Sequence, residues 1–368
     1  MRPALPALAL ALALVACSSA AKHPPLPTAL PTDGAPPVPR HFAVGVTSRT
    51  FVDRARDTPA NGKAPASPQR TLATEIWYPA DAPARAPETH DAPLLAAAGA
   101  APLVLFVHGS SGYSRQSTFL TQALASRGFV VAAADFPLTV LTQPGGESDW
   151  HVEDQLGDLA FLADRLFAAS ADPNDSLHGA LDAALGYGVV GHSTGGAVAL
   201  LAAEAPAPHD PRVFAAVALS GDSCFYGDGF FSTRAVPLLV VGATRDLIVP
   251  NATNSARSYA LAKTPAVGAT LVGGTHLFFT DVELPDDLGG TPTTLRDPLA
   301  LTLARYGGGT GCEPFPRTPN DPPLAFEDQH ALTIAVVRPF LDAALRGEGA
   351  DLASIEVDAD PRLGIVNK

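Results

Sequence analysis

Positive charge is scarce in this sequence. Its 24 lysines and arginines stand against 37 aspartates and glutamates, so the formal net charge at pH 7 is −13. Such an excess of negative charge repels nucleic-acid backbones and anionic lipid headgroups, and we therefore expect neither as a partner. Hydrophobic residues make up 46% and charged residues 17% of the 368 positions, a balance typical of a globular chain with one large domain or two ordinary ones.

Nucleotide-binding signatures are also missing. The sequence has no glycine-rich phosphate loop, no dinucleotide-binding fingerprint and no internal repeat. We therefore expect no organic cofactor, and we expect no metal.

Cysteine is rare, with three residues in the chain. The first, Cys17, follows a positive charge at Arg2 and an apolar stretch over residues 4–16 that is too short to span a membrane. Leu14-Val15-Ala16-Cys17 resembles the cleavage motif of bacterial lipoproteins. This resemblance implies a signal peptide over residues 1–16 and a lipid on Cys17. An ordinary cleaved signal peptide is the alternative.

Either interpretation of the N-terminus predicts export. Residues 17–39, rich in proline and alanine, are expected to form an extended tether. Because Ser18 rather than aspartate follows the cysteine, the lipoprotein resemblance favours the outer membrane, with membrane contact through the N-terminal lipid only. Cys224 and Cys312 form an even pair in an exported chain, which favours a disulfide over two separate buried thiols.

The rest of the chain alternates between strand and helix patterns. Continuous apolar runs such as Leu103–Val107 end in polar loops, as buried parallel strands do. This alternation predicts an α/β domain with a mostly parallel central sheet and helices on both faces. The domain is expected to cover residues 40–347, with a loop insertion over residues 284–323 and a C-terminal tail over residues 348–368.

Two strands of this sheet have expected positions. Residues 71–79 alternate in polarity and stop at Pro79, which favours an antiparallel edge strand. Residues 267–272 are predicted to be the last strand.

One short motif dominates the second half of the chain. In Gly191-His192-Ser193-Thr194-Gly195, the glycines Gly191 and Gly195 allow a sharp turn from a strand into a helix, with Ser193 at its apex. The flanks fit this nucleophile elbow, because an apolar strand pattern precedes it and a small-residue helix pattern follows. A glycine-rich turn whose serine only caps the helix is the alternative.

A serine hydroxyl becomes a good nucleophile when an imidazole takes its proton and an acid fixes the tautomer of that imidazole. Three histidines follow Ser193 along the chain: His209, His276 and His330. We predict His276, because it lies in a glycine-rich loop after a strand. His209 directly follows the elbow helix, and His330 lies in the last helix, where we expect a surface position.

The acid is predicted to be Asp246, which lies in a short turn after a strand, with Asp222 after the preceding strand as the alternative. The oxyanion that forms during attack needs two backbone N–H donors. Thr194, directly after the serine, is predicted to supply one. Ser110, in the loop after the first buried strand, is predicted to supply the other, with His108 as a structural residue beneath that loop.

Together these pieces resemble the bacterial serine α/β-hydrolases that include dienelactone-hydrolase-like proteins, platelet-activating-factor acetylhydrolases and cutinase-type polyester hydrolases. The resemblance covers residues 41–346 and implies the α/β-hydrolase fold, the proposed triad and no cofactor. The matching motifs are Glu75-Ile76-Trp77-Tyr78-Pro79, His108-Gly109, residues 124–131, residues 191–196, Asp246 and Gly274-Thr275-His276.

The sequence departs from these relatives at three places. Ser193 stands where true dienelactone hydrolases carry a cysteine. His192 and Ser110 stand where polyester hydrolases usually carry aromatic residues. The insertion over residues 284–323 has no clear counterpart in the small polyester hydrolases.

The sequence thus predicts an exported, monomeric serine carboxylic-ester hydrolase that acts on a small-molecule or lipid ester through an acyl-enzyme. Small side chains at Thr194 and Ser110, and an insertion long enough to roof the site, favour short acyl esters. Three alternatives stay open: a phospholipase A2-like acetylhydrolase for platelet-activating factor or oxidised phospholipids, a polyester hydrolase, and a catalytically silent binding protein of the envelope.

Overall fold

A computed structural model describes seven segments of the chain. The described residues are 41–83, 87–148, 151–207, 209–263, 265–283, 321–347 and 360–368. The predicted signal peptide, Cys17 and the tether lie outside them, as do Cys312 and most of the predicted insertion.

Within the described residues, ten strands form a single sheet. They are β1 Ala43–Asp53, β2 Arg70–Ala80, β3 Thr89–His90, β4 Leu103–Val107, β5 Val130–Ala134, β6 Tyr187–His192, β7 Val213–Leu219, β8 Leu238–Ala243, β9 Ala266–Leu271 and β10 Leu363–Asn367.

The helices lie between these strands. They are α1 Thr118–Ser126, α2 Asp154–Ala171, α3 Thr194–Glu204, α4 Ser255–Leu261 and α5 Phe326–Arg346, with 3-10 turns at Ala96–Ala98, Ala183–Leu185, Asp228–Ser232, Asn251–Thr253 and Leu277–Phe279. No helix of the described residues is long and apolar enough to cross a membrane.

The strand order places the elbow near the middle of the sheet. The order is β10-β9-β8-β7-β6-β4-β5-β2-β1-β3. The six strands from β9 to β5 in this order are parallel to their neighbours, while β10 and β2 join them antiparallel. Loops after parallel strands meet at one edge of a sheet, so the loops that follow β4, β6, β7, β8 and β9 converge there.

Apolar side chains cover both faces of the sheet. Along β4, Leu103, Leu105 and Val107 belong to one buried layer, and Val104 and Phe106 belong to the other. Helices α2 and α3 pack on the first layer, and α1 and α5 pack on the second. The predicted α/β architecture, a mostly parallel sheet with helices on both faces, is therefore confirmed.

The predicted edge position of β2 is wrong, although its antiparallel direction is confirmed. This strand pairs with β1 along its whole length and with β5 over residues 74–77. Pro79 lies beyond the end of the β5 ladder, so its missing N–H interrupts no hydrogen bond to that strand. A proline near a strand end is therefore compatible with an interior strand.

A strand also lies where only a tail was predicted. Residues Leu363–Asn367 pair antiparallel with β9, so residues 267–272 do not form the last strand. Leu363 and Ile365 point their partly buried side chains onto the second core layer, while Gly364 and Val366 are exposed. An edge strand is stabilised largely by its backbone hydrogen bonds and needs few buried side chains. These five residues therefore alternate too weakly in polarity to predict a strand from the sequence.

Candidate active site

Ser193 lies on a tight turn between β6 and α3. Its backbone has φ 56° and ψ −123°, and residues other than glycine rarely adopt a positive φ. Two backbone hydrogen bonds hold the turn: Ser193 N–H donates to the Leu219 carbonyl at 3.0 Å, and Asp222 N–H donates to the Ser193 carbonyl at 3.3 Å. The sheet and the following loop thus hold the strained serine in place.

The two elbow glycines are required sterically. A Cβ on Gly191 would lie 2.0 Å from the Gly195 carbonyl oxygen, and a Cβ on Gly195 would lie 2.1 Å from the Val107 carbonyl oxygen. Both contacts are with backbone atoms, which cannot move aside without displacing β4 or α3. The sequence motif therefore describes a turn that only glycine permits at these positions.

His276 and Asp246 meet beside this turn. His276 Nδ1 lies 2.8 Å from Asp246 Oδ2, and both side chains are buried. The other carboxylate oxygen accepts hydrogen bonds from the backbone N–H groups of Ile248 and Val249, at 2.9 and 2.6 Å. These bonds orient the carboxylate, and donation from Nδ1–H to it makes Nε2 the basic nitrogen of the neutral ring.

The loop that carries His276 is held from several sides. Gln329 on α5 accepts from Thr275 N–H at 2.9 Å and donates to the Thr275 carbonyl at 2.8 Å. Ser117 donates to the Phe279 carbonyl at 2.9 Å. His330 Nε2 lies 2.9 Å from the Thr280 carbonyl oxygen. An imidazole fixed in this way can transfer protons without reorganising its loop.

The two predicted oxyanion residues also lie together. Ser110 Oγ and Thr194 Oγ1 form a hydrogen bond at 2.9 Å, which joins the loop after β4 to the start of α3. That loop approaches the elbow closely, since a Cβ on Gly109 would lie 3.0 Å from the Ser193 Cβ. The structure therefore brings Ser193, Ser110 and Thr194 to one place.

The alternative candidates for the base and the acid either lie away from Ser193 or have other contacts. His209 is exposed, and its Nδ1 lies 2.9 Å from the Pro206 carbonyl oxygen. His330 is half-buried rather than on the surface as predicted, because its ring stacks on Phe119 with centroids 3.6 Å apart. Asp222 is half-buried and contributes its backbone N–H to the elbow.

His108 lies beneath the loop after β4, as its predicted structural role requires. It is 1% exposed, and its Nε2 accepts a hydrogen bond from Phe136 N–H at 3.1 Å. Burial lowers the pKa of this imidazole to about 4, so the ring is neutral at pH 7.

Sequence reasoning missed the two buried glutamines of the site. Gln116 and Gln329 are 5% and 0% exposed, and each bonds to a residue far away in the chain, His192 for Gln116 and Thr275 for Gln329. A lone glutamine has no distinctive spacing, so the only signal was the position of Gln329 at helical spacing from Leu332 and Val336 on the apolar side of α5. No sequence pattern indicated Gln116.

No group of three or more histidine, cysteine, aspartate or glutamate side chains that could hold a metal ion occurs among the described residues. The expectation that the protein uses no metal or cofactor stays a prediction.

This fold and this site define a serine hydrolase with the α/β-hydrolase architecture. The chain belongs to the PET hydrolase-like family, whose family model matches residues 93–283. The matched region runs from the segment before β4 to the loop after His276, and so contains Ser193, Asp246 and His276 together with Ser110 and Thr194. The protein is a carboxylic-ester hydrolase.

Among solved structures, the chain is similar to a ferulic acid esterase from Streptomyces cinnamoneus. The two sequences are 24% identical, the match covers 90% of this chain and 98% of that chain, and the TM-score is 0.60. At this identity the likeness shows the shared fold. No curated protein matches the chain.

Proposed function

We propose that the protein cleaves carboxylic esters through an acyl-enzyme formed on Ser193, with His276 as the base and Asp246 as the acid of a triad. The observation that carries this proposal is the buried hydrogen bond of 2.8 Å between His276 Nδ1 and Asp246 Oδ2, next to the turn that holds Ser193. Chain order and elbow geometry support the same assignment.

The first half of the reaction forms the acyl-enzyme. His276 Nε2 takes the proton of the Ser193 hydroxyl as Oγ attacks the acyl carbon. The carbonyl oxygen becomes negative and receives hydrogen bonds from the backbone N–H groups of Ser110 and Thr194. The tetrahedral intermediate then collapses, the bond to the alcohol breaks, and the alcohol leaves with the proton held by His276.

The second half releases the acid. A water molecule gives a proton to His276 and attacks the acyl carbon, and the same two N–H groups stabilise the second intermediate. Its collapse returns the proton to Ser193 Oγ and frees the carboxylic acid. Throughout, Asp246 accepts from His276 Nδ1–H, keeps the productive tautomer and stabilises the imidazolium.

A fluorophosphonate probe tests the nucleophile directly, because the probe labels only an activated serine. The intact protein should be labelled once, and Ser193→Ala should not be labelled although it folds normally. Labelling that persists in this variant would place the nucleophile elsewhere. A folded wild-type protein that resists the probe would indicate a catalytically silent binding protein.

The proposed substrates are esters of short acyl groups. Small side chains at Ser110 and Thr194, which are bonded to each other beside the elbow, support this choice. A series of p-nitrophenyl esters from acetate to palmitate should show kcat/KM highest for the shortest chains. A steady rise towards palmitate contradicts the proposal and favours a lipase, whereas selective turnover of oxidised phospholipids favours the acetylhydrolase alternative.

Polyester hydrolysis is the second candidate, and membership of the PET hydrolase-like family favours it. The test is the release of soluble acids from a polyester film, with Ser193→Ala as the matched control. Release above the control level on the film, together with weak turnover of short soluble esters, would replace the first candidate by the second.

Export and lipid attachment at Cys17 are proposed from the N-terminal motif alone, and Cys17 lies outside the described residues. The intact mass of the mature protein should include a lipid, and Cys17→Ala should lose that lipid. A mature N-terminus with the same mass in both proteins, apart from the exchanged side chain, would exclude lipidation.

We also propose a disulfide between Cys224 and Cys312. Support comes from the even pair of cysteines in a chain that is expected to be exported and from the burial of Cys224, while Cys312 lies outside the described residues. Because Cys224 follows β7 at the edge of the sheet that carries the site, the bond would attach the insertion there. Thiol titration of the denatured exported protein should find no free thiol from this pair.

A further inference from the structure

Two buried side chains connect the loop after β4 to the loop that carries His276. Gly109 N–H donates to Gln116 Oε1 at 3.2 Å, Gln116 Nε2 lies 3.0 Å from His192 Nδ1, and His192 Nε2 lies 3.1 Å from the His276 carbonyl oxygen. We propose that Gln116 and His192 are positioning residues that set the oxyanion donors and His276 relative to Ser193. The proposal rests on the proposed triad. These two side chains are called the Gln116–His192 bridge below.

The direction of each hydrogen bond in the bridge is fixed by its neighbours. A carbonyl oxygen only accepts, so His192 Nε2 must carry the proton that it donates to His276. In the neutral ring, Nδ1 then has to accept, and Gln116 donates to it through its amide nitrogen. The amide oxygen of Gln116 is left to accept from Gly109 N–H. One arrangement of protons therefore satisfies all three bonds.

The surroundings of His192 favour this neutral form. The ring is 3% exposed and packs against the His276 ring, with centroids 4.6 Å apart. Burial lowers the pKa of His192 well below its ordinary value, and the neighbouring His276 lowers it further. The titratable groups around it are His276, with Asp246 behind it, and His108 under the Gly109 loop. Protonation of Nδ1 would remove the acceptor for Gln116.

The bridge contacts both the elbow that carries Ser193 and the loop that carries His276. His192 directly precedes Ser193 in the chain, so its ring extends from the elbow itself. Gln116 also accepts, through its backbone carbonyl, a hydrogen bond of 2.7 Å from Asp281 N–H on the loop after His276. A Cβ on Gly112 would lie 2.1 Å from Gln116 Oε1, so glycine leaves the room that the amide occupies.

Loss of the bridge should slow the chemistry rather than weaken binding. None of the bridge atoms is a proposed substrate contact, but each of them fixes a group that acts in the transition state. A displacement of about 1 Å at such groups costs about 100-fold in rate. Gln116→Leu removes both amide bonds at similar volume, so kcat for p-nitrophenyl acetate should fall about 10- to 100-fold while KM stays within about threefold.

Gln155→Leu is the matched control. Gln155 is also buried, at 2% exposure, and its amide bonds to Thr139 rather than to His192. The same exchange there removes one buried amide hydrogen bond, so it should also lower the melting temperature but leave kcat within about twofold. If both leucine variants lose kcat in parallel with stability, or if Gln116→Leu keeps kcat within threefold, the bridge has no positioning role.

Gln116→Glu gives a second test with a distinctive pH signature. One carboxylate oxygen can still accept from Gly109 N–H, but the other can bond to Nδ1 only if His192 is protonated. The carboxylate favours that proton, so the bridge should re-form at low pH and be lost as pH rises. The kcat of Gln116→Glu should therefore exceed that of Gln116→Leu at low pH and fall towards it at high pH. A profile parallel to that of Gln116→Leu at every pH would overturn the proposal.

The proposed role of the bridge and the proposed triad can be disproved separately. If Ser193→Ala retains esterase activity and fluorophosphonate labelling, the proposed triad is wrong and the bridge has no catalytic groups to position. If Ser193→Ala is inactive but Gln116→Leu is fully active, the triad stands and only the bridge is excluded.

Discussion

At the scale of single residues, Asp246 and Asp222 differ most clearly in what they contact. Asp246 accepts three hydrogen bonds, from His276 Nδ1 and from the N–H groups of Ile248 and Val249. The carboxylate is thereby fixed on the histidine. Asp222 meets the elbow through its backbone N–H, a contact that does not depend on its carboxylate.

Substitutions in the proposed triad should therefore lower kcat by different amounts. Ser193→Ala and His276→Ala should each lower kcat by about 10⁶-fold, because nucleophile and base act as one unit. Asp246→Asn presents the wrong partner to the imidazole and should cost about 10⁴-fold. Steady-state kinetics with p-nitrophenyl acetate measure all three.

Asp222→Asn is the control for this series, and it should lower kcat by about tenfold at most, since its backbone contact is unchanged. Should Asp222→Asn prove the crippling change and Asp246→Asn the mild one, the acid belongs after β7 and the assignment above is wrong.

The residues that could be predicted from the sequence are those with a local or ordered signature. Ser193 stands between two glycines that the turn requires, and Asp246 and His276 follow it in chain order, each directly after a strand. Gln116 and His192 lie far apart in the chain, and their contact exists only once β4 and β6 pair. No spacing within the sequence encodes such a contact.

At the scale of elements, helix α3 ends at a buried acid. Glu204 is 2% exposed and accepts from Arg234 N–H at 3.2 Å. Burial raises the pKa of Glu204 to about 7, which the backbone bond and charge of Arg234 only partly oppose. The folded state therefore holds a proton on this group at pH values where the unfolded chain, with an ordinary glutamate, has lost it.

This raised pKa predicts a loss of stability with rising pH. The stabilisation by the bound proton is complete below about pH 4.5, the ordinary value, and is lost by pH 7 to 8. Glu204→Gln cannot titrate, so its free energy of unfolding relative to the wild type should increase over that window, by about 3 kcal/mol. Urea unfolding at pH 5, 6, 7 and 8 measures the difference. A constant difference across these values would contradict the raised pKa.

Strand β2 and helix α2 are joined by a buried ion pair. Arg70 and Asp158, which are 1% and 0% exposed, form two hydrogen bonds at 2.7 and 2.6 Å, and Arg56 reaches the same carboxylate at 2.7 Å. Asp158→Asn would remove the charge of the carboxylate bonded to the buried Arg70 guanidinium and would leave the half-exposed Asp154, 3.8 Å away, as its nearest ion-pair partner. It should therefore lower the free energy of unfolding by about 3–5 kcal/mol in urea denaturation.

Asp164→Asn on the same helix is the control for this prediction. Its partner Arg212 and its own half-exposed side chain lie at the surface, so the same exchange should cost about 1 kcal/mol or less. Equal losses in the two variants would show that the burial of the Arg70 pair has no energetic consequence.

Elements whose burial is complete were the easiest to predict. Strands β4 to β8 consist almost entirely of buried apolar residues, with His192 at the end of β6 as the polar exception, so their runs stand out in the sequence. The interior position of β2 and the existence of β10 depend on which strands pair, which is a property of the whole sheet. The periodicity of the sequence indicates which residues of a strand are buried, but it does not indicate which strands pair with each other.

At the scale of the whole molecule, the sheet has one edge that depends on the last residues of the chain. β10 covers the outer side of β9 from Val267 to Leu271, and Arg362 adds a hydrogen bond of 2.7 Å to Asp328 on α5. The catalytic-side end of β9 leads to His276, and Val272 N–H at the start of that loop donates to the Arg362 carbonyl at 2.8 Å, so this edge supports the loop that carries the proposed base.

Removal of residues 360–368 should therefore destabilise the protein more than it impairs catalysis. The partly buried side chains of Leu363 and Ile365 account for roughly 2 kcal/mol, which lowers the melting temperature by several degrees in a domain of this size. The uncovered β9 edge offers unpaired N–H and C=O groups, so aggregation should rise with protein concentration. Calorimetry and light scattering measure both, and kcat at 25 °C should stay within about threefold.

Val366→Thr, which keeps the backbone pairing at an exposed position, should match the wild type in all three. A truncated protein with unchanged melting temperature and no aggregation would mean that β10 adds nothing to the stability of the sheet.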